Sequence, residues 1–547
     1  MRTLSLASVL VFGFLSCVGC QGGSSQPTQQ GLPSAQAAYD VLHYDLDVRV
    51  HPAQETLDGQ VILRAAVRDS LSSVLLDLDH RLTVDRAWRP QVRQRALPVE
   101  RTTGGNRLRV QLDTARAPGD TVHLAVAYHG APRVAPNPPW DGGLTWSHTP
   151  TGAPWIGTSV QTAGADLWWP VKDHPGDEPD SMDIAFTVPD SLVAASNGRL
   201  RGVEQTSDTT RTYRWHVSVP INAYNVTLNV APYTRIDTAY ASSAGGDVPV
   251  SFYALPSDSG RAARALPGFL EQVRFLEETL GPYPPRADKY GVAQAPFLGM
   301  EHQSLIAYGH TFSDGGLGYD APFDVLHFHE LAHEWYGNLV TVQNWKDFWI
   351  HEGPATYLEA LYAEYLRGDS AYHAVTDHFG SRVTGGVQIA REGPTPASEI
   401  YHRDVYFRGA MMLHTLRYWV GEEHLRTILR RFVYPEETAD ADVPPFRHVT
   451  TQDFVEMAET VADRPLGDFF QVYLYRAALP RLETDRTDGT LQLQWTHTGD
   501  ATLEVPVPVQ VNGTLRRVAM DGGEGTVAVP AGADVQIDPQ GWLLRAK

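Results

Sequence analysis

The spacing of apolar residues changes twice along the chain, and this limits the fold more than any single motif. From Tyr39 to about Pro232 apolar and polar residues alternate, as in HYDLDVRVH (43–51), GQVILRAAV (59–67), TVHLAVAYH (121–129) and VTLNVAPY (226–233). Period two, β-branched residues and frequent Gly, Pro, Asp and Asn predict one large all-β domain over 39–232. Residues 133–180 interrupt it. They are rich in Trp and Pro and read as a structural edge long enough to reach a site in a neighbouring domain. From about 260 the period becomes helical. ALPGFLEQVRFLEETL (265–280) is amphipathic and stops at Gly281-Pro282. Further helices are predicted over 323–339, 352–367, 408–420, 422–432 and 451–475, with a strand-like segment at 293–309. Short strands return after Pro480. The expected fold class is multidomain α+β: a mainly helical domain over 233–478 between the β domain and a small C-terminal β-sandwich over 479–547.

The first residues are a short basic start and an apolar run from Leu4 to Val18, the length of a signal peptide and too short to span a membrane. Cys20 follows Val18-Gly19. This resembles a bacterial lipoprotein signal over 1–20, with Cys20 lipidated and Cys17 a competing site. Residues 21–38, largely Gly, Ser, Gln and Pro, predict a flexible linker. The expected protein is exported and lipid-anchored to the bacterial cell envelope, touching membrane through its N-terminal lipid only.

Those two cysteines are the only ones in the chain, so disulfides, Cys-ligated zinc and a cysteine nucleophile are excluded from the folded part. With 64 acidic against 44 basic residues, the chain would meet phosphates with a repulsive field, and no nucleic-acid partner is expected. Only four of the 44 cations are Lys, and Asp outnumbers Glu. That balance resembles proteins of salt-loving bacteria; GC-rich codon usage produces the same exchange of Lys for Arg.

The motif that carries chemistry is His329-Glu330-Leu331-Ala332-His333 within an apolar helical run. Two His four residues apart share one helix face and can hold one Zn²⁺, with Glu330 beside a water at the metal. A catalytic zinc needs a third protein ligand. Glu352, with eighteen residues between it and His333, is the candidate, and His351 and Glu359 are rivals.

The segment HELAHEWYGNLVTVQNWKDFWIHEGPATYLE (329–359) resembles the gluzincin aminopeptidases, the family of aminopeptidase N and leukotriene hydrolase. The resemblance implies a saddle-like N-terminal β domain and a thermolysin-like catalytic domain with a small mixed sheet. It implies one Zn²⁺ per chain on His329, His333 and Glu352, Glu330 as general base, and Asp347 supporting the ligands from behind. Phe297-Leu298-Gly299-Met300-Glu301-His302 resembles the family's G-x-M-E-N strand, along which substrate lies. Gly299 and Met300 then line the substrate, and Glu301 binds its free α-amine. Leu298 and His302 depart from the pattern, which has Gly and Asn there. Asp404-Val405-Tyr406-Phe407-Arg408-Gly409-Ala410 resembles Y-x-K-G-A, making Tyr406 the oxyanion donor, with Arg408 in place of the usual Lys. Gln161, nine residues before Pro170 and twelve before Asp173, resembles the family's Gln at the first subsite; Asp173, Pro175, Trp168 and Trp169 read as structural. The implied activity is zinc-dependent removal of the N-terminal residue from peptides. An epoxide hydrolase or dual enzyme of the same family is the alternative, disfavoured by the short strand-like tail. An inactive scaffold relative is disfavoured because His329, Glu330, His333, Glu352 and Tyr406 are all present.

Overall fold

The structure, a computed structural model, describes residues 32–546 apart from 93–94, 103, 310, 436–443 and 488. Cys17, Cys20, the leader and the first part of the linker lie outside the described residues. Among the described residues no helix is long and apolar enough to cross a membrane.

The N-terminal part is built on an open eight-stranded sheet. At its centre Tyr39–His51 and Thr56–Val67 run antiparallel, with Leu46 opposite Val61 and Val48 opposite Gly59. On the other side Ser181–Pro189 runs parallel to Tyr39–His51. Leu46, Val48 and Val50 are buried and the residues between them exposed, so the alternating sequence places one face of the sheet on the core. The linker expected over 21–38 ends sooner than its composition implies. Ser34–Ala37 forms one helical turn, and the Gln36 amide, buried, donates to Asp77 Oδ2 at 2.5 Å. Gly, Ser and Gln signal lack of a core, but a single amide with a buried acceptor fixes the chain here.

Thr234–Ala241 and Asp247–Ala254 open a second, five-stranded mixed sheet that continues through Tyr290–Gln294 and Ile306–Tyr308. Its edge strand is Gly299–Met300, paired antiparallel with Ile306–Tyr308. Helices pack beside this sheet: Ser259–Leu280, Val325–Ala332, Trp349–Arg367, Asp369–Arg382, Asp404–Val420, Glu422–Val433, Thr451–Ala462 and Gly467–Leu474. Three differ from expectation. The helix expected over 323–339 ends at Ala332, and the chain leaves it in turns. The stretch 451–475 is two helices, because Asp463 is left-handed (φ 48°) and Pro465 removes a backbone donor. Asp369–Arg382 was not expected; its sequence, DSAYHAVTDHFGSR, has too few apolar residues to show a periodic stripe. The C-terminal strands form two three-stranded sheets, and their core is continuous with that of the helices. Their apolar residues join the cluster of the helices, and Trp542 stacks on His414 with ring centroids 4.6 Å apart.

Two helices cross where both carry glycine. A Cβ on Gly409 would lie 2.8 Å from the Gly353 Cα, so only glycine lets Trp349–Arg367 and Asp404–Val420 touch backbone to backbone. This crossing brings Glu352 and Tyr406 to one side. Below it sits Arg408, fully buried. Its guanidinium donates to the carbonyls of Tyr473 (2.9 Å), Val387 (2.8 Å), Ala477 (3.0 Å), Val472 (3.3 Å) and Arg476 (2.6 Å), tying the end of Gly467–Leu474 and the residues just after it to the Val387 segment. An ammonium has three donors for these five acceptors. The Ala477 carbonyl also accepts from the Gly386 amide at 2.9 Å, so Arg408→Lys leaves at least one carbonyl without a donor and is expected to destabilise the fold by about 1–3 kcal/mol. Denaturant titration checks this, and an unchanged midpoint would count against it.

The Trp-rich stretch is anchored by an acidic cluster. Asp173 accepts from the Ala165 amide at 3.2 Å, and its own amide donates to Asp77 Oδ2 at 3.1 Å. Trp168 and Trp169 are fully buried beside it, as a structural role requires. Burial, with Asp173 and then Asp77 close by, pushes the Asp166 carboxyl up to about 8; burial and Asp77 push Asp173 up to about 7. Both carboxyls hold protons more tightly folded than unfolded. Their contribution to stability is therefore full below about pH 4 and is lost as the pH rises through about 7 to 8. Asp166→Asn is expected to flatten the fall of the unfolding midpoint over this window, as read from melts at several pH values. A pH slope as steep as that of the wild type would sink this assignment.

Candidate active site

Val325–Ala332 carries the first part of the HExxH motif, and His333 closes it as the residue after the last turn. Asp324 caps the start, its side chain accepting from the His327 amide at 3.1 Å. Glu352 lies in the first turn of Trp349–Arg367. His329, His333 and Glu352 converge: the two Nε2 atoms are 3.2 Å apart, and each lies 3.4 Å from Glu352 Oε2. Tetrahedral ligands held about 2.0–2.1 Å from zinc stand about 3.3–3.4 Å from one another. The three donor atoms already have that separation. Glu352 Oε2 is buried with no hydrogen-bond partner, the orphaned acceptor a cation would satisfy. The residues thus fit zinc.

Each imidazole is oriented from its far side. His333 Nδ1–H donates to the Tyr336 carbonyl at 2.9 Å and His329 Nδ1–H to Glu359 Oε1 at 2.8 Å, which leaves both Nε2 lone pairs facing Glu352. Tyr319 in turn donates to Glu359 Oε2. Glu359 is thus no ligand but the carboxylate behind His329. His351 is no ligand either, since its Nε2 accepts from the Val342 amide at 3.1 Å. Asp347 does not take the supporting role the sequence suggested. Its Oδ1 accepts from Thr451 at 2.6 Å, and Thr451 also accepts from the Trp349 indole at 2.9 Å, so Asp347 braces the start of the Glu352 helix rather than a ligand.

Glu330 and Glu301 face the same space, with carboxylate oxygens that lie within 4.8 Å of each other and of a His333 nitrogen. Gly299 permits this: a Cβ there would fall 2.5 Å from Glu330 Oε1 and 2.7 Å from Leu326 Cδ1. Burial pushes Glu330 up to about 8 against the pull of His329, and Glu301 up to about 7 against the pull of His333. A dication beside them draws both toward the ionised form. Gln161, reaching in from the N-terminal domain, donates to Glu301 Oε1 and, at 3.4 Å, to Glu352 Oε1. Tyr406 lies over His329, ring centroids 5.9 Å apart, and its hydroxyl meets that of Tyr401 at 3.1 Å. Burial raises the Tyr406 pKa well above 10, so the phenol keeps its proton. Met300 and Gly299 line the same cavity of about 320 Å³, together with Trp140 of the N-terminal domain.

Sequence reasoning missed two residues just past the motif. Glu334 accepts from the Ser304 amide and the Tyr283 hydroxyl, both at 2.8 Å, and from Asn338 at 3.0 Å. Asn338 also donates to the Glu301 carbonyl at 3.2 Å. The pair ties the Glu301 segment to the turn after His333. A charged residue inside an otherwise apolar run was the signal available. His302 is fully buried, with neither ring nitrogen hydrogen-bonded.

Comparison with known proteins matches these elements in order. Residues 41–225 match the peptidase M1 N-terminal domain and residues 273–473 the peptidase family M1 domain. The chain is 22% identical to glutamyl aminopeptidase of Rattus norvegicus over 478 residues, 80% of this chain and 47% of that protein. It is 29% identical to endoplasmic reticulum aminopeptidase 2 of Homo sapiens over 241 residues, 40% of this chain and 24% of that protein. The chain spans about half the length of the curated relatives it matches along most of its course. A solved M1 zinc metallopeptidase of Deinococcus radiodurans aligns at 27% identity and a TM-score of 0.65, over 81% of this chain and 95% of that one. A mutant of that enzyme bound to a Tyr-Ser-Ala substrate aligns over the same shares at 25% identity and the same TM-score. With both family domains, the paired imidazoles and the downstream glutamate in register, the chain belongs to peptidase family M1, the gluzincin aminopeptidases.

Proposed function

We propose that the protein is a zinc-dependent aminopeptidase that releases the N-terminal residue of peptides. The observation that carries this is Glu301, a buried carboxylate beside the metal-ligand triad, held by Gln161 and by the backbone bond from Asn338. An anion fixed there binds the α-ammonium of a substrate whose first carbonyl lies over the triad, which limits cleavage to the first peptide bond. The Deinococcus enzyme with its tripeptide substrate and the aminopeptidase relatives support the same substrate class.

Zinc, when bound, polarises the scissile carbonyl and lowers the pKa of water. The chain's own groups do the rest. Glu330 takes a proton from the attacking water and delivers it to the leaving amine. Tyr406 donates its phenolic proton in a hydrogen bond to the carbonyl oxygen as negative charge develops there. Glu359 and the Tyr336 carbonyl keep His329 and His333 in the tautomer that presents Nε2. The epoxide hydrolase alternative draws on the same metal set, and no separate feature of the site favours it. At the N-terminus, Cys20 is proposed to carry a lipid that holds the exported enzyme on the cell envelope.

Chelation should abolish hydrolysis of aminoacyl-anilides, and zinc should restore it; activity that survives exhaustive chelation would refute the metal assignment. Glu330→Ala is expected to keep zinc, by metal analysis of the dialysed protein, yet lose at least ~10²-fold in kcat. Wild-type turnover in that variant would refute the base. Glu301→Ala should raise KM for free-amine substrates with little effect on zinc content; unchanged kinetics would remove the anchor. Glu359→Ala should weaken zinc binding ~10–100-fold in a chelator competition, and an unaltered affinity would exclude its supporting role.

A further inference from the structure

The cavity over the triad is electrically lopsided. Glu301, Glu330, Glu352 and Glu359 line it, and so do two arginines, Arg382 and Arg403. Among the described residues neither guanidinium has a carboxylate at ion-pair distance, whereas Arg417 of the same domain is held by Glu364 at 2.7 Å and Glu422 at 2.8 Å.

Both cations line this cavity from segments that the fold ties to each other. Arg382 ends the helix Asp369–Arg382, and Arg403 precedes the helix Asp404–Val420. Asp404 binds the two segments: its Oδ1 accepts from the Thr384 amide (2.9 Å) and hydroxyl (2.8 Å), and its Oδ2 from the Gly385 amide (2.8 Å). Asp404, the carboxylate next to Arg403 in the chain, is therefore buried and engaged by three donors. A cation at the end of a helix, as at Arg382, suits the helix dipole. One at a helix start, as at Arg403, opposes it, so helix stability does not explain Arg403. Gly318, with φ +91°, leaves room for Arg382: a Cβ there would lie 2.9 Å from its Nη2.

The arginines also sit on a defined side of the triad. Gln161 and Glu301 flank Glu352 and His333. Tyr319, next to Gly318, reaches Glu359 behind His329, and Tyr406, three residues after Arg403, covers His329. A peptide with its amine on Glu301 and its first carbonyl over the triad runs on toward this second side. At about 3.3–3.6 Å per residue, a chain of two or three residues ends roughly 7–11 Å from its amine.

We propose that Arg382 and Arg403 form a receptor for a substrate carboxylate beyond the scissile bond, so that the enzyme favours short peptides whose C-terminal carboxylate reaches it. This rests on the aminopeptidase function proposed above. The same pair would also accept the acidic side chain of the second or third residue, since the chemistry recognised, a carboxylate on paired guanidinium groups, is one.

The test compares kcat/KM for trialanine with trialanine amide, and for Ala-Glu-Ala amide with Ala-Gln-Ala amide, on the full-length zinc enzyme. Each ratio is taken within one enzyme, so general damage to a variant cancels. The wild type is expected to favour the free acid by roughly tenfold or more. R382Q/R403Q should bring that ratio close to one, R382K/R403K should restore part of it, and molar salt should lower it in the wild type. A wild-type ratio near one for the acid pair, with a tenfold preference for Glu over Gln that R382Q/R403Q removes, identifies the side chain as the carboxylate recognised. No discrimination in either pair, or discrimination that survives R382Q/R403Q, overturns the receptor. An alanyl-anilide, which has no carboxylate, separates the two levels: its hydrolysis without discrimination overturns the receptor alone, and its failure overturns the aminopeptidase function as well.

Discussion

Four carboxylates and two imidazoles share one buried volume, and most of the helical domain is arranged to make that tolerable. Like charges brought out of water raise one another's pKa and cannot all ionise unless a cation answers them. Glu301, Glu330, Glu352 and Glu359 are each at most 7% exposed. Protein donors reach three of them: Gln161 on Glu301 and Glu352, and His329 and Tyr319 on Glu359. What they leave over is the Glu330 carboxylate and Glu352 Oε2, the latter facing two Nε2 lone pairs. A dication held there would compensate these charges, and the spacing of the three donor atoms is built into the fold.

That spacing depends on contacts remote in sequence. The glycine crossing sets how close the Glu352 helix lies to the Tyr406 helix, and Arg408 ties the latter to the end of Gly467–Leu474. Glu334 and Asn338 hold the Glu301 segment to the turn after His333. Asn225 of the N-terminal domain donates to Asn338 at 2.8 Å and accepts from the Gln303 amide at 3.2 Å. The N-terminal domain thus supports the Glu301 segment by its backbone network as well as through Gln161. A buried polar network of this kind specifies one arrangement only when every member is satisfied. This explains why the two domains meet through amides and carboxylates as well as apolar packing.

What could be read from the sequence follows from how local each signal is. His329 and His333 are fixed by one helix turn, and the β pattern of 39–232 by alternation, so both were legible. The convergence of His329, His333 and Glu352 was legible because eighteen residues between His333 and Glu352 match a family pattern, although spacing alone left Glu359 and His351 as rivals. Glu359 comes seven residues after Glu352, two helical turns on, and so shares its face. Only the three-dimensional position of His329 shows that it stands behind the ligand rather than beside it. Asp347 was misread because a carboxylate near a metal motif looks like support, while its actual partner, Thr451, lies 104 residues away. The helix Asp369–Arg382 and the break at Asp463 were missed because one lacks an apolar stripe and the other depends on a single left-handed residue.

The scarcity of Lys has a structural counterpart. Of the four in the chain, Lys172 and Lys289 are buried, at 1% and 3% exposure. Lys172 donates to the Tyr39 carbonyl at 2.7 Å and pairs with Asp177 at 3.2 Å, and Lys289 donates to the Ser196 carbonyl at 2.8 Å and to the Gly198 carbonyl at 2.5 Å. These interior places suit a compact ammonium, and a planar guanidinium with five donors does not fit the same few acceptors. Arg408 is the converse, a site with five carbonyls that an ammonium leaves partly unsatisfied. Where the two residues are not interchangeable, each is kept for its shape. The exchange of Lys for Arg is therefore concentrated at exposed positions, where either cation serves. In the cavity over the triad the same bias supplies arginine, at 382 and 403, the cation whose fork matches a carboxylate, alongside four glutamates.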